Sequence, residues 1–171
     1  MRTKLFLPAL LVAITSTTSI NADDDTGFYA GLGLTRAAVT ANDLDSSNTN
    51  GSIALGYMFN DRIGVDFSTY ILGNSKDGNL TATTGTLALT GVYQMPVSER
   101  IDVFAKLGVA RTELELKKGS TTLIDESTND FIWGVGGKMD FGKHNILLEY
   151  NKLSPNDGGI DIINLGYRYE F

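Results

Sequence analysis

Along most of the chain, large apolar residues alternate with small or polar ones. From Ile163 to the end, Ile163, Leu165, Tyr167, Tyr169 and Phe171 are bulky, and between them stand Asn164, Gly166, Arg168 and Glu170. A repeat of two puts the sets on opposite faces of one strand. The pattern recurs upstream. Over residues 27–36 it sets Phe28, Ala30, Leu32 and Leu34 against Tyr29, Gly31, Gly33 and Thr35. It returns over 51–59 (Ile53, Leu55, Tyr57, Phe59), 63–71 (Val65, Phe67, Ile71) and 85–95 (Leu87, Leu89, Tyr93). A strand opening at Ile101 keeps an apolar face to Val109, beyond which that face reads Arg111, Glu113, Glu115. Residues 131–141 (Phe131, Trp133, Val135, Met139) and a strand with Ile146, Leu148 and Tyr150 bring the number to eight.

The connections alternate. Residues 60–62, 96–100 and 142–144 are short turns; 37–50, 72–84, 153–159 and a charged stretch ending near 130, reached after the strand from Ile101 continues past Val109 into water, are long polar loops. Successive hairpins imply an all-β, up-and-down antiparallel arrangement. Apolar bands of about nine to eleven residues suit tilted strands crossing a bilayer, and unequal connections fit a barrel with one short-turned end. Phe59, Tyr93, Phe141, Tyr169 and Phe171 are placed by this reading in an aromatic girdle at that end.

Which face meets the outside decides the environment. Eight strands leave an interior just wide enough for side chains to fill, so the set rich in Gly, Ala, Ser and Thr fits inside. The alternative, a soluble carrier of the lipocalin type, would then expose an apolar belt far larger than soluble monomers tolerate. The expected fold is an eight-stranded antiparallel transmembrane β-barrel.

Arg2 and Lys4, the apolar run Leu5 to Ile14 and the Ile20-Asn21-Ala22 triplet predict a signal peptide over 1–22 and a barrel domain over 23–171. Removing Arg2 and Lys4 leaves 12 of the 14 basic residues against 20 acidic ones, which disfavours nucleic acid as a partner. With no cysteine, neither a disulfide framework nor a thiolate metal site is available.

Five charges fall on the inward parity: Asp66, Lys106, Lys138, Glu149 and Arg168. Each lies a few residues from the short-turn end of its strand, so they are expected at one level. Buried charges must pair or be solvated, and a salt-bridged plug is the expectation; a narrow wet channel is the alternative.

The Gly27-Phe28-Tyr29-Ala30-Gly31 opening, Gly134-Val135-Gly136-Gly137-Lys138, Leu148-Glu149-Tyr150 and the Gly166-Tyr167-Arg168-Tyr169 ending resemble the small eight-stranded outer-membrane family of OmpA-like and OmpX-like barrels. Asn164, Gly166, Tyr169 and Phe171 resemble that class's carboxy-terminal assembly signal. The resemblance implies outer-membrane lipid, lipopolysaccharide and the barrel assembly machinery as partners, and a possible surface ligand at the loops. No wall-anchoring domain is expected after the barrel.

Catalytic candidates are few. The single histidine, His144, falls in a short turn, away from the outer rim where a lipid-modifying Ser–His pair would work. Asp43, Asp45, Asn48 and Asn50 lack the Gly and terminal Glu of a calcium-binding loop. Neither cofactor nor metal is expected. Arg36, Lys117, Lys118 and Lys152 are placed near the outer rim, within reach of lipopolysaccharide phosphates.

Overall fold

A computed structural model describes residues 26–39, 49–77, 80–118, 121–154 and 159–171. The segment read as a signal peptide, and Asp43, Asp45 and Asn48, lie outside these residues. Eight strands, β1 (Gly27–Val39), β2 (Thr49–Met58), β3 (Ile63–Asp77), β4 (Leu80–Ser98), β5 (Ile101–Lys118), β6 (Thr121–Phe141), β7 (His144–Ser154) and β8 (Ile160–Glu170), form one closed barrel. Each pairs antiparallel with its neighbours in sequence, and β8 closes onto β1.

Paired positions reveal the stagger. Starting at Tyr29, the row runs through Gly56, Asp66, Thr90, Gly108, Ile132, Leu153 and Ile160 and returns to β1 at Val39, ten residues beyond its start. Eight strands with that stagger tilt by about 40°. Rows of paired residues therefore climb toward the long-hairpin end as strand number rises.

The alternation sorts side chains as expected. Along β7, Ile146 and Leu148 are 49% and 58% exposed, whereas Leu147 and Glu149 are 6% and 5%. Phe28, Leu32, Leu34, Ile53, Phe67, Leu89, Leu107, Val109 and Leu165 form the rest of an outward apolar belt. At its short-turn rim the aromatics stack edge to face, Tyr57 with Phe59 at 5.4 Å and Tyr169 with Phe171 at 5.2 Å. Tyr93 differs from its expected place: β4 runs on through exposed Met95 and Val97, so Tyr93 stands within the belt.

Two expected loops are largely strand. Pairing of β3 with β4 continues to Asp77 and Leu80, and that of β5 with β6 to Lys118 and Thr121, while β4 and β5 stay paired out to Leu80 and Lys118. A four-stranded sheet thus rises past the barrel, its seams with β2 and β7 ending at Ser52 paired with Tyr70 and Phe131 paired with Ser154. The apolar repeat vanishes there because nothing outside lipid demands it. Residues such as Thr83, Thr84, Thr112 and Thr128 still favour extended backbone.

Inward glycines make room for neighbours that cross the lumen. A Cβ on Gly56 would collide with the ring of Tyr29, and one on Gly136 with the ring of Phe104. At Gly33 it would meet Ser52 Oγ at 2.5 Å and the side-chain amide of Asn164.

Candidate functional site

The lumen is filled in layers, and a charged one lies between two apolar ones. On β5 the inward order is Phe104, Lys106, then Ala110; on β7 it is Leu147, Glu149, then Leu153. Val92, Phe104 and Leu147 pack together on the short-turn side of the charges. On the far side, Tyr70, Ala88, Ala110, Ile132, Leu153 and Ile162 form a second cluster.

At the centre, Lys106 Nζ lies 2.9 Å from Glu149 Oε2 and 3.4 Å from Asp66 Oδ1, with all three side chains at most 5% exposed. Taking ions out of water costs several kcal/mol each, so their remaining valences must be filled. The hydroxyl of Tyr29, lying across Gly56, donates to Asp66 Oδ2 at 2.7 Å, and Ser68 donates to Oδ1. Glu149 Oε1 accepts from Asn164 Nδ2 at 2.9 Å and from the Tyr70 hydroxyl at 3.4 Å. Asn164 Oδ1 in turn accepts from Ser52 at 2.7 Å and Thr35 at 3.0 Å. The cavity within this layer is about 30 Å³ and is lined by Lys106, Glu149, Asn164 and Arg168 among others, room for one or two water molecules.

Of the five charges expected at one level, three meet. Arg168 stacks on the Tyr29 ring at 3.9 Å and reaches the cluster through that ring, with no direct ion pair among the described residues. Lys138 belongs to a separate group at the short-turn mouth, 3.1 Å from Asp102, 3.4 Å from Glu170 and 3.8 Å from Asp140. The register explains the departure: Lys138 pairs with Asp102, nearer the short-turn end of β5 than Lys106, which pairs with Gly134. Tyr29, Tyr70, Ser52 and Thr35, which complete the network, were visible only as polar side chains on the inward parity.

Asn164 is therefore a lumen residue as well as part of the terminal pattern. Gly166 pairs with Gly33 and Leu147. Tyr169 packs against His144 at 5.3 Å, and the Phe171 amide donates to Phe28 O at 3.0 Å. His144 itself opens β7 at a short turn, with Nδ1 2.6 Å from the Tyr167 hydroxyl. Arg36 and Lys152 lie on the outward parity near the long-hairpin end; the side chains of Lys117 and Lys118 lie outside the described residues. No group of three His, Cys, Asp or Glu among the described residues is placed to hold a metal ion.

Comparison with known proteins assigns the architecture. The family model described as "Outer membrane protein beta-barrel domain" matches residues 7–171. A search of curated protein sequences gives no match. Among solved structures, Ail, the attachment invasion locus protein of Yersinia pestis, in complex with the heparin analogue sucrose octasulfate, superposes with a TM-score of 0.65 at 16% identity, over 85% of this chain and 97% of that one. The N-terminal barrel of Pseudomonas aeruginosa OprF gives 0.61 at 13% identity, over 85% and 99%. The outer-membrane enzyme PagL gives 0.54 at 12%, over 84% and 99%. Likeness at such identities speaks for the fold, which proteins of different function share. With its closed eight-stranded barrel, its lipid-facing belt and a family match over nearly its whole length, the chain belongs to the outer-membrane β-barrel family and resides in the bacterial outer membrane.

Proposed function

We propose that this protein is a non-enzymatic barrel with a sealed lumen, serving envelope integrity or surface contact through its outer hairpins. The observation that carries the reading is the Asp66–Lys106–Glu149 layer enclosed between two apolar layers, which leaves a cavity of only about 30 Å³ at the charges. Short turns face the periplasm in this family and the longer connections face outward, so the β3–β6 sheet stands outside the cell. The likeness to Ail supports the display of such an outer surface. At 16% identity that likeness is one of fold and carries no ligand with it. Catalysis is left out because His144 sits at the periplasmic end, bonded to Tyr167. In and just after β8 we read Asn164, Gly166, Tyr169 and Phe171 as a pattern recognised by the barrel assembly machinery.

Three outcomes are expected. In planar bilayers the wild-type protein shows no steady conductance; a stable open level would instead support a narrow channel for small solutes. Glu149→Ala lowers stability in urea titrations by about 3 to 5 kcal/mol, because it strands Lys106 in the interior; a loss below about 1 kcal/mol, typical of exposed ion pairs, would refute the buried network. Deleting Phe171 reduces the heat-modifiable, folded form recovered from membranes, and full recovery would reject the assembly role.

A further inference from the structure

The lipid-facing belt is interrupted over β4 and β5 by a hollow of about 690 Å³, floored by Gly91 and Ala105 and walled by Tyr93, Leu107, Trp133 and Val135. Gly91 has no internal reason to be glycine. A Cβ there would meet only Leu107 O at 3.8 Å, as open as at the outward glycines Gly51, Gly85 and Gly137, and of these Gly91 is the one that lines the hollow. Glycine weakens a strand interior and often marks the close approach of something else. From this hollow one row of paired residues runs Gly91, Leu107, Trp133, Lys152, Asp161 across β4 to β8. The stagger makes that row climb, so Lys152 and Asp161 stand toward its outer end.

Around Lys152 the belt changes character. Trp133 packs edge to face on Tyr150 at 5.8 Å. The Tyr150 hydroxyl donates to Asp161, and Lys152 Nζ lies 3.3 Å from the same carboxylate oxygen, with its side chain 35% exposed. Asp161 thereby fixes the ammonium beside the aromatic pair and leaves it donors to spare. A cation above aromatics, above an apolar hollow, matches a phosphate above a hydrocarbon chain. Three strand spacings separate Gly91 from Lys152, about 14 Å, which fits within the ~15 Å that one leaflet contributes to the hydrocarbon core.

We propose that this row is a binding site for the lipid A part of lipopolysaccharide. One phosphate meets Lys152, and one acyl chain passes Trp133 into the hollow over Gly91 and Ala105. The assignment to the outer leaflet rests on the orientation given above, not on the sealed lumen.

Trp133 is the only tryptophan in the chain, so its emission reports occupancy directly. Full-length folded protein in neutral detergent micelles would be titrated with lipid A, with lipid A stripped of its phosphates, and with phosphatidylglycerol. Lipid A is expected to shift Trp133 emission saturably at one per chain by native mass spectrometry. Lys152→Glu and Gly91→Leu should each weaken binding by about tenfold or more, and Lys152→Arg should retain it. Circular dichroism confirms that each variant folds. Equal affinity in the variants, equal affinity for phosphate-free lipid A, or equal affinity for phosphatidylglycerol would each overturn the proposal. So would a dimer that Gly91→Leu abolishes, because the hollow would then receive a second copy. Protease cleavage of the β5–β6 hairpin on intact cells tests the orientation separately: cleavage with no lipid A binding sinks the site alone.

Discussion

Hydrocarbon offers no partner for a backbone amide, and that constraint shapes this molecule. Every strand segment within the bilayer must be paired on both sides, so the sheet has to close, which it does where β8 meets β1. Closure with a stagger of ten fixes the tilt, and the tilt fixes which side chains share a level inside. The belt and the filled lumen both follow from this geometry. Where the constraint lapses, beyond the bilayer, the sheet opens and, among the described residues, β3 to β6 continue furthest.

Inside, the constraint acts in reverse. A lumen this narrow cannot hydrate several charges freely, so Lys106 is held between Asp66 and Glu149 while neutral donors from β1, β2, β3 and β8 fill the remaining acceptors. Such a pair is not a strong source of net stability, since desolvation offsets much of the attraction. Its consequence is specificity: strands carrying the wrong register would leave ions unmatched. Glycines at 33, 56, 134 and 136 belong to the same device, because each clears the path of a side chain reaching across to a partner or a packing layer.

Much of this was legible in the residue order. Period two survives wherever one face meets lipid, so the eight strands and the inward or outward place of residues such as Leu147 and Leu148 could be read directly. The outer parts of β3, β4 and β6 could not, because threonines and charges extend a strand without marking a face, although β5 was expected to run past Val109 into water. Nor could the level of the inward charges. Lys138 lies closer to the end of its strand than Lys106 does and faces Asp102 on β5, so it pairs with Asp102, Asp140 and Glu170 at the mouth, a level set by cross-strand register. Interior Tyr29 and Tyr70 were assigned the right parity, but their contacts depend on cross-strand register.

The central claim is that bulky residues face lipid and the other parity packs a filled interior with no continuous water path. It is most directly measured by spin labels on single cysteines along β5, a chain that has no native cysteine. In bilayers, labels at Val103, Ala105, Leu107 and Val109 should collide with dissolved oxygen, and labels at Phe104, Lys106 and Ala110 with neither oxygen nor a water-soluble nickel reagent. Reversed parity, or strong collision of the second set with the nickel reagent, would contradict the account.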